Sequence, residues 1–287
     1  MRAPGTATPV PVIPTTVQAR PGRWPLPPLL QASAAVHLGA AGAFLASPGL
    51  WPHAAGAVAL NHLLLAATGL WPRSTALGDN LLRLPPEAVQ RGEVGLTIDD
   101  GPDPQVTPRV LDLLDAAGAR ATFFCIGARA RRHPDLVREI VRRGHSVQNH
   151  SLVHRHHFSL LGPGPMRREI VRAQEALAQA AGQAPTLFRA PAGLRNPFLA
   201  PVLHGLGLRL VSWTRRGFDT RERDPVRVLQ RLTRGLAAGD ILLLHDGNAA
   251  CTAQGEPVTL AVLPTLLADI QRRGLRCVTL PQALRAS

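Results

Sequence analysis

Two short segments of the sequence carry the residue types of a catalytic metal site. In "LTIDDGPDP" the adjacent carboxylates Asp99 and Asp100 end an apolar, β-branched run and are followed by Gly-Pro. In "NHSLVHRHH" His150 and His154 have the spacing that places two imidazoles on one side of a helical turn. One carboxylate and two imidazoles leave a coordination position for water, as in catalytic Zn²⁺ sites. Because histidine pairs are also common on exposed loops, the prediction depends on the acidic group lying close by.

Two further polar residues end apolar runs of the sequence. Arg189 follows a short apolar run in "FRAPAG", and His245 ends the continuous apolar run "ILLLH". A histidine at the end of a buried strand can also cap the core without any chemistry. Ligands of α/β proteins bind at the carboxyl ends of the strands. Because an acid, a base or a cation stands at each of four such ends, we predict that they form one site.

The elements that would position these residues alternate between strand and helix from Gly92 to the C-terminus. The apolar runs typical of strands are "VGLTI", "ATFFCI", "HSVQN", "LRLVSW", "DILLLH" and "RCVTL". They are separated by amphipathic segments, which begin near Pro108, Pro134, Met166, Pro225 and Pro257. This alternation predicts an α/β domain whose largely parallel sheet has helical crossovers and is either open or closed into a barrel.

An apolar region precedes this domain. From Trp24 to Pro72 the sequence contains no Asp, Glu, Lys or Arg, and "SPGLWPH" divides the region into two stretches. Each stretch is about as long as a bilayer-spanning helix, which needs ~20 residues. Tryptophans near the ends of both stretches match the positions of interfacial aromatic residues. We predict a membrane-inserted helical hairpin, with a hydrophobic core hairpin of a soluble protein as the alternative.

The predicted organisation has four parts. These are a disordered Pro-rich N-terminus over 1–23, two transmembrane helices within 24–72, a linker over 73–91 and the α/β domain over 92–287. A cleaved signal peptide is disfavoured because the region before the first apolar stretch is long and Pro-rich and a second stretch follows. Arginines flank the hairpin and its turn is uncharged, so the positive-inside rule favours a cytoplasmic domain at an inner membrane. If only one stretch spans, the domain lies outside.

The composition indicates no nucleic-acid partner, although the formal net charge is +13. All 32 basic residues are Arg, a bias that GC-rich codons also produce. The arginines are scattered at helical spacings without interleaved aromatic residues, which is typical of solvated helix faces. The three cysteines are far apart and form no C-x-x-C, so neither a disulfide framework nor a cysteine metal site is expected.

The four polar segments together resemble the polysaccharide deacetylase (NodB homology) family, a carbohydrate esterase type. Its T-F-D-D-G-P motif is similar to residues 97–102, H-[ST]-x-x-H to 150–154, R-x-P to 189–191 and L-x-[ILV]-H to 242–245. The resemblance extends from about Val94 to the C-terminus. It implies a distorted (β/α) barrel and a metal-dependent N- or O-deacetylase, which is a hydrolase of carbon–nitrogen bonds other than peptide bonds.

The resemblance also implies roles for the residues of the first two motifs. Asp100, His150 and His154 would bind a divalent metal, and Asp99 would be the general base. Arg189 would orient Asp99 and keep it anionic. Such a ligand set favours Zn²⁺ and also accepts Co²⁺, Ni²⁺ or Fe²⁺.

The remaining roles concern the substrate and the departing amine. His245 would protonate the amine, and Asp219 in "SWTRRGFDT" is our candidate for the residue that polarises His245. The backbone N–H of Ala192 would stabilise the oxyanion, and Leu242 or Leu244 with Trp213 would contact the acetyl methyl group. The candidate substrate-binding residues are therefore Ala192, Trp213, Leu242 and Leu244.

Three functions remain open at this point. The first is hydrolysis of an N-acetyl group on an amino sugar of a polysaccharide or glycolipid by a membrane-associated enzyme. The second is deformylation or deacetylation of a lipid-linked sugar at the cytoplasmic leaflet, which the predicted hairpin orientation would suit. The third is a non-catalytic sugar-binding protein. Loss of a functional side chain from a motif would indicate it, but all four motifs retain theirs. The predicted partners are an N-acylated sugar polymer or glycolipid and, through the hairpin, membrane lipid.

Overall fold

The structure is a computed structural model that describes residues 22–285. The Pro-rich N-terminus lies outside the described residues up to position 21. Within the described range the helices are α1 (Pro28–Ala46), α2 (Trp51–Leu70), α3 (Pro86–Gln90), α4 (Thr107–Ala116), α5 (Gly127–Arg132), α6 (Pro134–Arg142), α7 (Pro163–Ala181), α8 (Leu199–Gly205), α9 (Pro225–Thr233), α10 (Val258–Arg272) and α11 (Leu280–Arg285). The strands are β1 (Glu93–Asp99), β2 (Thr122–Cys125), β3 (Ser146–Asn149), β4 (Leu187–Phe188), β5 (Arg209–Leu210), β6 (Arg215–Arg216), β7 (Ile241–His245) and β8 (Arg276–Val278).

The strands form one parallel sheet in the order β5-β4-β3-β2-β1-β7-β6. Strand β1 is central and fully buried, with β2 and β7 on its two sides, and β8 pairs with its first residues. The sheet curls into a half-barrel with helices packed outside it, which confirms the predicted distorted (β/α) barrel preceded by a helical hairpin. Parallel pairing brings the carboxyl ends of all these strands to one side.

The local pattern predicted most of these elements. All six expected strands are present, as β1, β2, β3, β5, β7 and β8, and helices begin within a few residues of each expected position. Strands β4 and β6 were not assigned from the pattern because two residues are too short to show a period. Strand β4 nevertheless directly precedes Arg189, and β6 contains Arg216.

The segment over 73–91, which the sequence predicts as a linker, is folded onto the sheet. Leu77, Leu84 and Ala88 are buried. The backbone N–H of Leu81 donates to Leu210 at β5, and that of Leu84 donates to Gly239 just before β7. The segment thus bridges two parts of the sheet that are not paired to each other. It belongs to the folded domain because Leu81, Leu84 and Ala88 pack in one buried cluster with residues of β2 and β7.

Helices α1 and α2 form the expected hairpin. Asn61 of α2 donates a hydrogen bond of 2.9 Å to the hydroxyl of Ser33 in α1. Both helices are long and apolar enough to cross a membrane, and only 6% and 17% of their apolar windows are buried. The buried core hairpin considered above is therefore not what the structure contains, since large apolar side chains such as Leu38, Leu45 and Leu60 face outward.

Candidate active site

The four polar segments meet at the carboxyl edge of the sheet around a cavity of about 780 Å³. Asp99 ends β1 and is the register partner of His245, which ends β7. His150 directly follows β3, and Arg189 directly follows β4. The shared edge is what a parallel sheet imposes on residues that end neighbouring strands.

Strained backbone is concentrated in this region. Among the described residues, five that are not glycine have a positive φ, namely Asp100, Ser151, His154, Ala192 and Phe218. Four of them line the cavity or are next to a residue that does, and the ring of Phe218 lies 4.9 Å from the guanidinium of Arg216, which lines it. Left-handed conformations cost about 1–3 kcal/mol and persist where the surrounding structure holds them, commonly at functional sites.

The two histidines are brought together differently from the sequence prediction. His150 and His154 lie in an irregular loop rather than on a helical turn. Ser151 and His154 adopt φ values of 64° and 51°, so the chain folds back and the ring centroids come within 4.9 Å. The spacing was correct for proximity, but the loop achieves it through left-handed residues that the pattern does not reveal.

Asp100, His150 and His154 form a three-donor cluster. The Nε2 atoms of both histidines lie 3.3 Å from Oδ1 of Asp100. All three ligand atoms lie within 4.8 Å of one another. Oδ1 of Asp100 is buried and receives no hydrogen bond from the described residues, while Asn248 donates to Oδ2 over 2.8 Å. An orphaned carboxylate oxygen facing two imidazole nitrogens suits a divalent transition metal.

Contacts around the cluster hold its members in a ligating state. Nδ1 of His150 lies 2.8 Å from the carbonyl oxygen of Arg189 and donates to it, which leaves Nε2 with its lone pair toward Asp100. Burial alone would raise the pKa of Asp100. The electrostatic influence of the nearby His150, together with His245 and His154, outweighs burial and holds that pKa well below its usual range.

Asp99 is held by a completely buried arginine. Nη1 of Arg189 donates to Oδ1 of Asp99 over 2.6 Å and to the hydroxyl of Thr97 over 2.7 Å. Nη2 donates to the carbonyl oxygen of Ser212, and the guanidinium lies 4.1 Å from the centre of the Phe124 ring. The other oxygen of Asp99 is 3.8 Å from Nε2 of His150. One oxygen is thus fixed by the arginine, and the other faces the three-donor cluster.

His245, the register partner of Asp99, forms a second buried pair with Asp219. Nδ1 of His245 lies 3.0 Å from Oδ1 of Asp219. Oδ2 of Asp219 accepts from the backbone N–H of His245 and the hydroxyl of Thr259. Burial lowers the pKa of His245, but the charge and hydrogen bond of Asp219 outweigh it and raise that pKa to about 9. His245 is therefore a protonated imidazole at neutral pH.

The apolar wall differs from the prediction. Leu242 and Leu244 do not line the cavity but belong to the main core between the sheet and its outer helices. Side chains alternate along a strand, so Leu243 shares a face with His245 and lines the cavity together with Trp213. The leucine of β7 that lines the cavity is thus Leu243, rather than the expected Leu242 or Leu244. Ala192, in a 3₁₀ turn at Pro191–Gly193, also lines the cavity.

Several cavity residues were missed by reasoning from the sequence. Asn248 hydrogen-bonds the metal-ligand candidate Asp100, and its position three residues after His245 was the available signal. Arg216 lines the cavity from β6, which was too short to be assigned. Arg129 at the rim donates to the carbonyl oxygen of Gly247. No local pattern separates these arginines from those on solvated helices.

The chain is similar to proteins of known activity. The family model described as polysaccharide deacetylase matches residues 87–211. A peptidoglycan-N-acetylglucosamine deacetylase of Bacillus cereus is 32% identical, over 67% of this chain and 88% of the relative. A chitooligosaccharide deacetylase of Bradyrhizobium sp. is 35% identical, over 66% of this chain and 89% of the relative.

The chain is also similar to solved structures of other proteins. A family 4 carbohydrate esterase from Streptomyces lividans, in complex with acetate, is 38% identical with a TM-score of 0.59, over 65% of this chain and 91% of that one. A CE4 family pseudoenzyme from Bacillus anthracis shares the fold with a TM-score of 0.64 at 23% identity, over 72% of this chain and 69% of that one. Because a pseudoenzyme has this fold, activity must be argued from the site.

Proposed function

The chain belongs to the polysaccharide deacetylase family, and we propose that it removes the N-acetyl group from an amino sugar by metal-dependent hydrolysis. Asp100, His150 and His154 would hold one divalent ion, for which the donor set favours Zn²⁺. When bound, such an ion acts as a Lewis acid toward a carbonyl group and lowers the pKa of water. The substrate class follows from the two relatives, a peptidoglycan-N-acetylglucosamine deacetylase and a chitooligosaccharide deacetylase.

The chain's own residues divide the proton transfers between them. Asp99, ion-paired with Arg189, takes a proton from the attacking water as general base. The backbone N–H of Ala192 donates to the oxyanion of the tetrahedral intermediate. Protonated His245 gives its proton to the nitrogen as the carbon–nitrogen bond breaks, and Asp219 stabilises its charge. The products are acetate and the free amine.

One observation favours catalysis over a role in sugar binding alone. The carboxylate of Asp99 and the imidazolium of His245 are both buried, face one cavity and each have a dedicated partner of opposite charge. Burying two such ion pairs side by side costs desolvation free energy that binding a neutral sugar does not require. A buried base and a buried acid next to a metal-ligand cluster are what amide hydrolysis uses.

The test is an assay of the purified full chain, stripped of metal and then reloaded, against acetylated amino-sugar oligomers and lipid-linked amino sugars. We expect acetate release that requires metal. Asp99→Asn should abolish release while the metal content, measured by mass spectrometry, stays at the wild-type level. Undiminished activity in that variant would refute the assignment of the base.

A second candidate substrate, a lipid-linked amino sugar, is favoured by how the hairpin meets the cavity. Gly193 and Trp213 line the cavity, and a Cβ at Gly193 would lie 2.8 Å from Cβ of Pro72, directly after α2. Ser212 donates a hydrogen bond of 2.7 Å to the carbonyl oxygen of Pro72. If the hairpin lies in a membrane, as we propose, this contact holds the cavity next to the bilayer surface.

The hairpin offers matched variants for this candidate. Gly69 of α2 packs on the carbonyl oxygen of Arg195, so Gly69→Leu should displace the hairpin from the domain. Gly56→Leu adds the same side chain where nothing lies nearby. In lipid nanodiscs, Gly69→Leu should lower activity on a lipid-linked substrate more than on a soluble chitooligosaccharide, and Gly56→Leu should change neither. Equal losses on both substrates would exclude a role for the hairpin in presenting lipid.

The side of the membrane has its own test. We propose an inner-membrane hairpin with the domain in the cytoplasm, since arginines flank both hairpin ends. Cys251 is exposed on the domain, whereas Cys125 is buried. A membrane-impermeant maleimide should therefore label Cys251 only after cells are opened. Labelling in intact spheroplasts would place the domain outside.

A further inference from the structure

Arg216 brings a positive charge into the cavity and has no carboxylate at ion-pair distance in the part of the chain that the structure describes. It lines the cavity from β6, and its Nε is buried with no hydrogen-bond partner among the described residues. Its guanidinium lies 5.3 Å from the centre of the Trp213 ring and 4.9 Å from that of Phe218. The two rings restrict the side chain, so binding through it costs little rotamer entropy.

Two neighbouring arginines, in contrast, each form an ion pair with a buried carboxylate. Arg215, one residue earlier on β6, points to the other face and pairs with the buried carboxylate of Asp240 over 2.7 Å. Arg189 is buried against Asp99. A partly buried guanidinium without such a partner loses hydration that nothing in the described chain replaces. Of these three arginines, Arg216 is therefore the one that is open to an anion from outside.

The rest of the cavity reinforces this charge. The arginines that line it are Arg129, Arg132, Arg216 and Arg221. None of them has a carboxylate at ion-pair distance within the described residues. The acidic lining residues are Asp99 and Asp100, of which the first is paired with Arg189 and the second is a proposed metal ligand. With a divalent cation bound, the cavity is strongly positive and attracts anions.

We propose that the amino sugar processed here carries a phosphate group next to the sugar, and that Arg216 binds this phosphate. This inference rests on the proposed deacetylation and specifies its substrate as a phosphate-linked amino sugar rather than a neutral oligosaccharide. A guanidinium matches phosphate through charge-assisted, bidentate hydrogen bonds. The cavity's contact with the hairpin fits a substrate whose phosphate joins the sugar to a lipid.

The test compares two substrates that differ in the phosphate alone. One is N-acetylglucosamine linked to a decyl chain through phosphate, and the other is the decyl glycoside. With the full, metal-loaded chain in detergent, the wild type should prefer the phosphate-linked compound. Arg216→Gln should lower that preference, the ratio of the two kcat/KM values, by about 10- to 100-fold, the usual size of a hydrogen bond between charged groups. Arg216→Lys should restore part of it.

Arg231→Gln is the matched control. Arg231 also lies near the Phe218 ring, at 5.7 Å, but it pairs with Glu222 and does not line the cavity. Arg231→Gln removes a positive charge near the same Phe218 ring, and it should leave the preference for the phosphate-linked substrate unchanged. If Arg216→Gln lowers both kcat/KM values equally, Arg216 only supports the cavity wall and the proposal is wrong.

Two further measurements separate the possible failures. Calorimetric binding of the phosphate-linked compound to Asp99→Asn reports the anion site without hydrolysis. Tight, Arg216-dependent binding together with no deacetylation by the wild type would refute the proposed function but keep the anion site. Assays in nanodiscs with neutral or phosphatidylglycerol lipid test the other source of phosphate. An Arg216 effect seen only with the anionic lipid would assign Arg216 to headgroups and overturn the proposal.

Discussion

Replacing Asp219 with Asn tests how the structure keeps His245 protonated. Asp219 is fully buried, lies 3.0 Å from Nδ1 of His245 and raises its pKa from 6.5 to about 9 against the effect of burial. Asp99 and Asp100 also face His245 and raise its pKa to a smaller extent. At 1.36 kcal/mol per pKa unit, the net shift corresponds to about 3 kcal/mol in favour of the imidazolium. Asp219→Asn removes the charge that raises the pKa of His245 most, while burial still lowers that pKa. We therefore expect the pKa of His245 in the variant to be at or below 6.5.

The expected result is a displaced alkaline limb of kcat/KM. At pH 8 an acid of pKa about 9 is ~90% protonated and one of pKa 6.5 is ~3% protonated, so the variant should lose about 30-fold or more. At pH 6 the loss from this cause should be much smaller, about 1.3-fold for a pKa of 6.5. A bound cation lowers both pKa values, so the displacement between the two proteins is the quantity to measure. An unchanged alkaline limb in Asp219→Asn would refute the reasoning.

The free energy of unfolding should also depend on pH through the His245–Asp219 pair. Because the pKa of His245 is raised in the folded state, its pairing with Asp219 contributes fully below about pH 6.5 and is lost as pH rises through about 9. Asp240→Asn is the control, since Asp240 is equally buried and ion-paired but lies just before β7, at the end of the strand far from the cavity. It should lower the midpoint of thermal unfolding without moving the alkaline limb.

Two other predictions concern the metal cluster and the acyl wall. His154→Ala should reduce bound metal from one equivalent to background by mass spectrometry, whereas His156→Ala, whose ring centroid is 6.2 Å from that of His154, should keep it; equal metal in both variants would remove His154 from the ligand set. Leu243→Ala should raise activity on N-propionyl relative to N-acetyl substrates by about 10-fold, the value of one methylene in a fitted pocket. Leu242→Ala should instead lower the free energy of unfolding by about 2–5 kcal/mol with no change in that ratio, because Leu242 lies in the core.

The site was largely predictable because strand ends are a local property. An apolar run that stops at Asp99 or His245 is visible in the chain, and parallel pairing then brings such ends together. The choice of Asp219 as the partner of His245 likewise agrees with the observed hydrogen bond. For the leucines of β7, alternation counted from His245 already indicates Leu243 rather than Leu242 or Leu244 as the residue facing the cavity, and the structure agrees.

The sequence by itself determined the strand-and-helix alternation, the ordered acids, bases and histidines, and the apolar hairpin, since each depends on residue type and short-range period. Only the tertiary structure decided that Pro72 touches the wall of the cavity, that residues 73–91 are part of the domain and that Arg216 faces the site while Arg215 does not. These contacts join residues far apart in the chain. Strand order and backbone path set them, and neither is encoded in a local pattern.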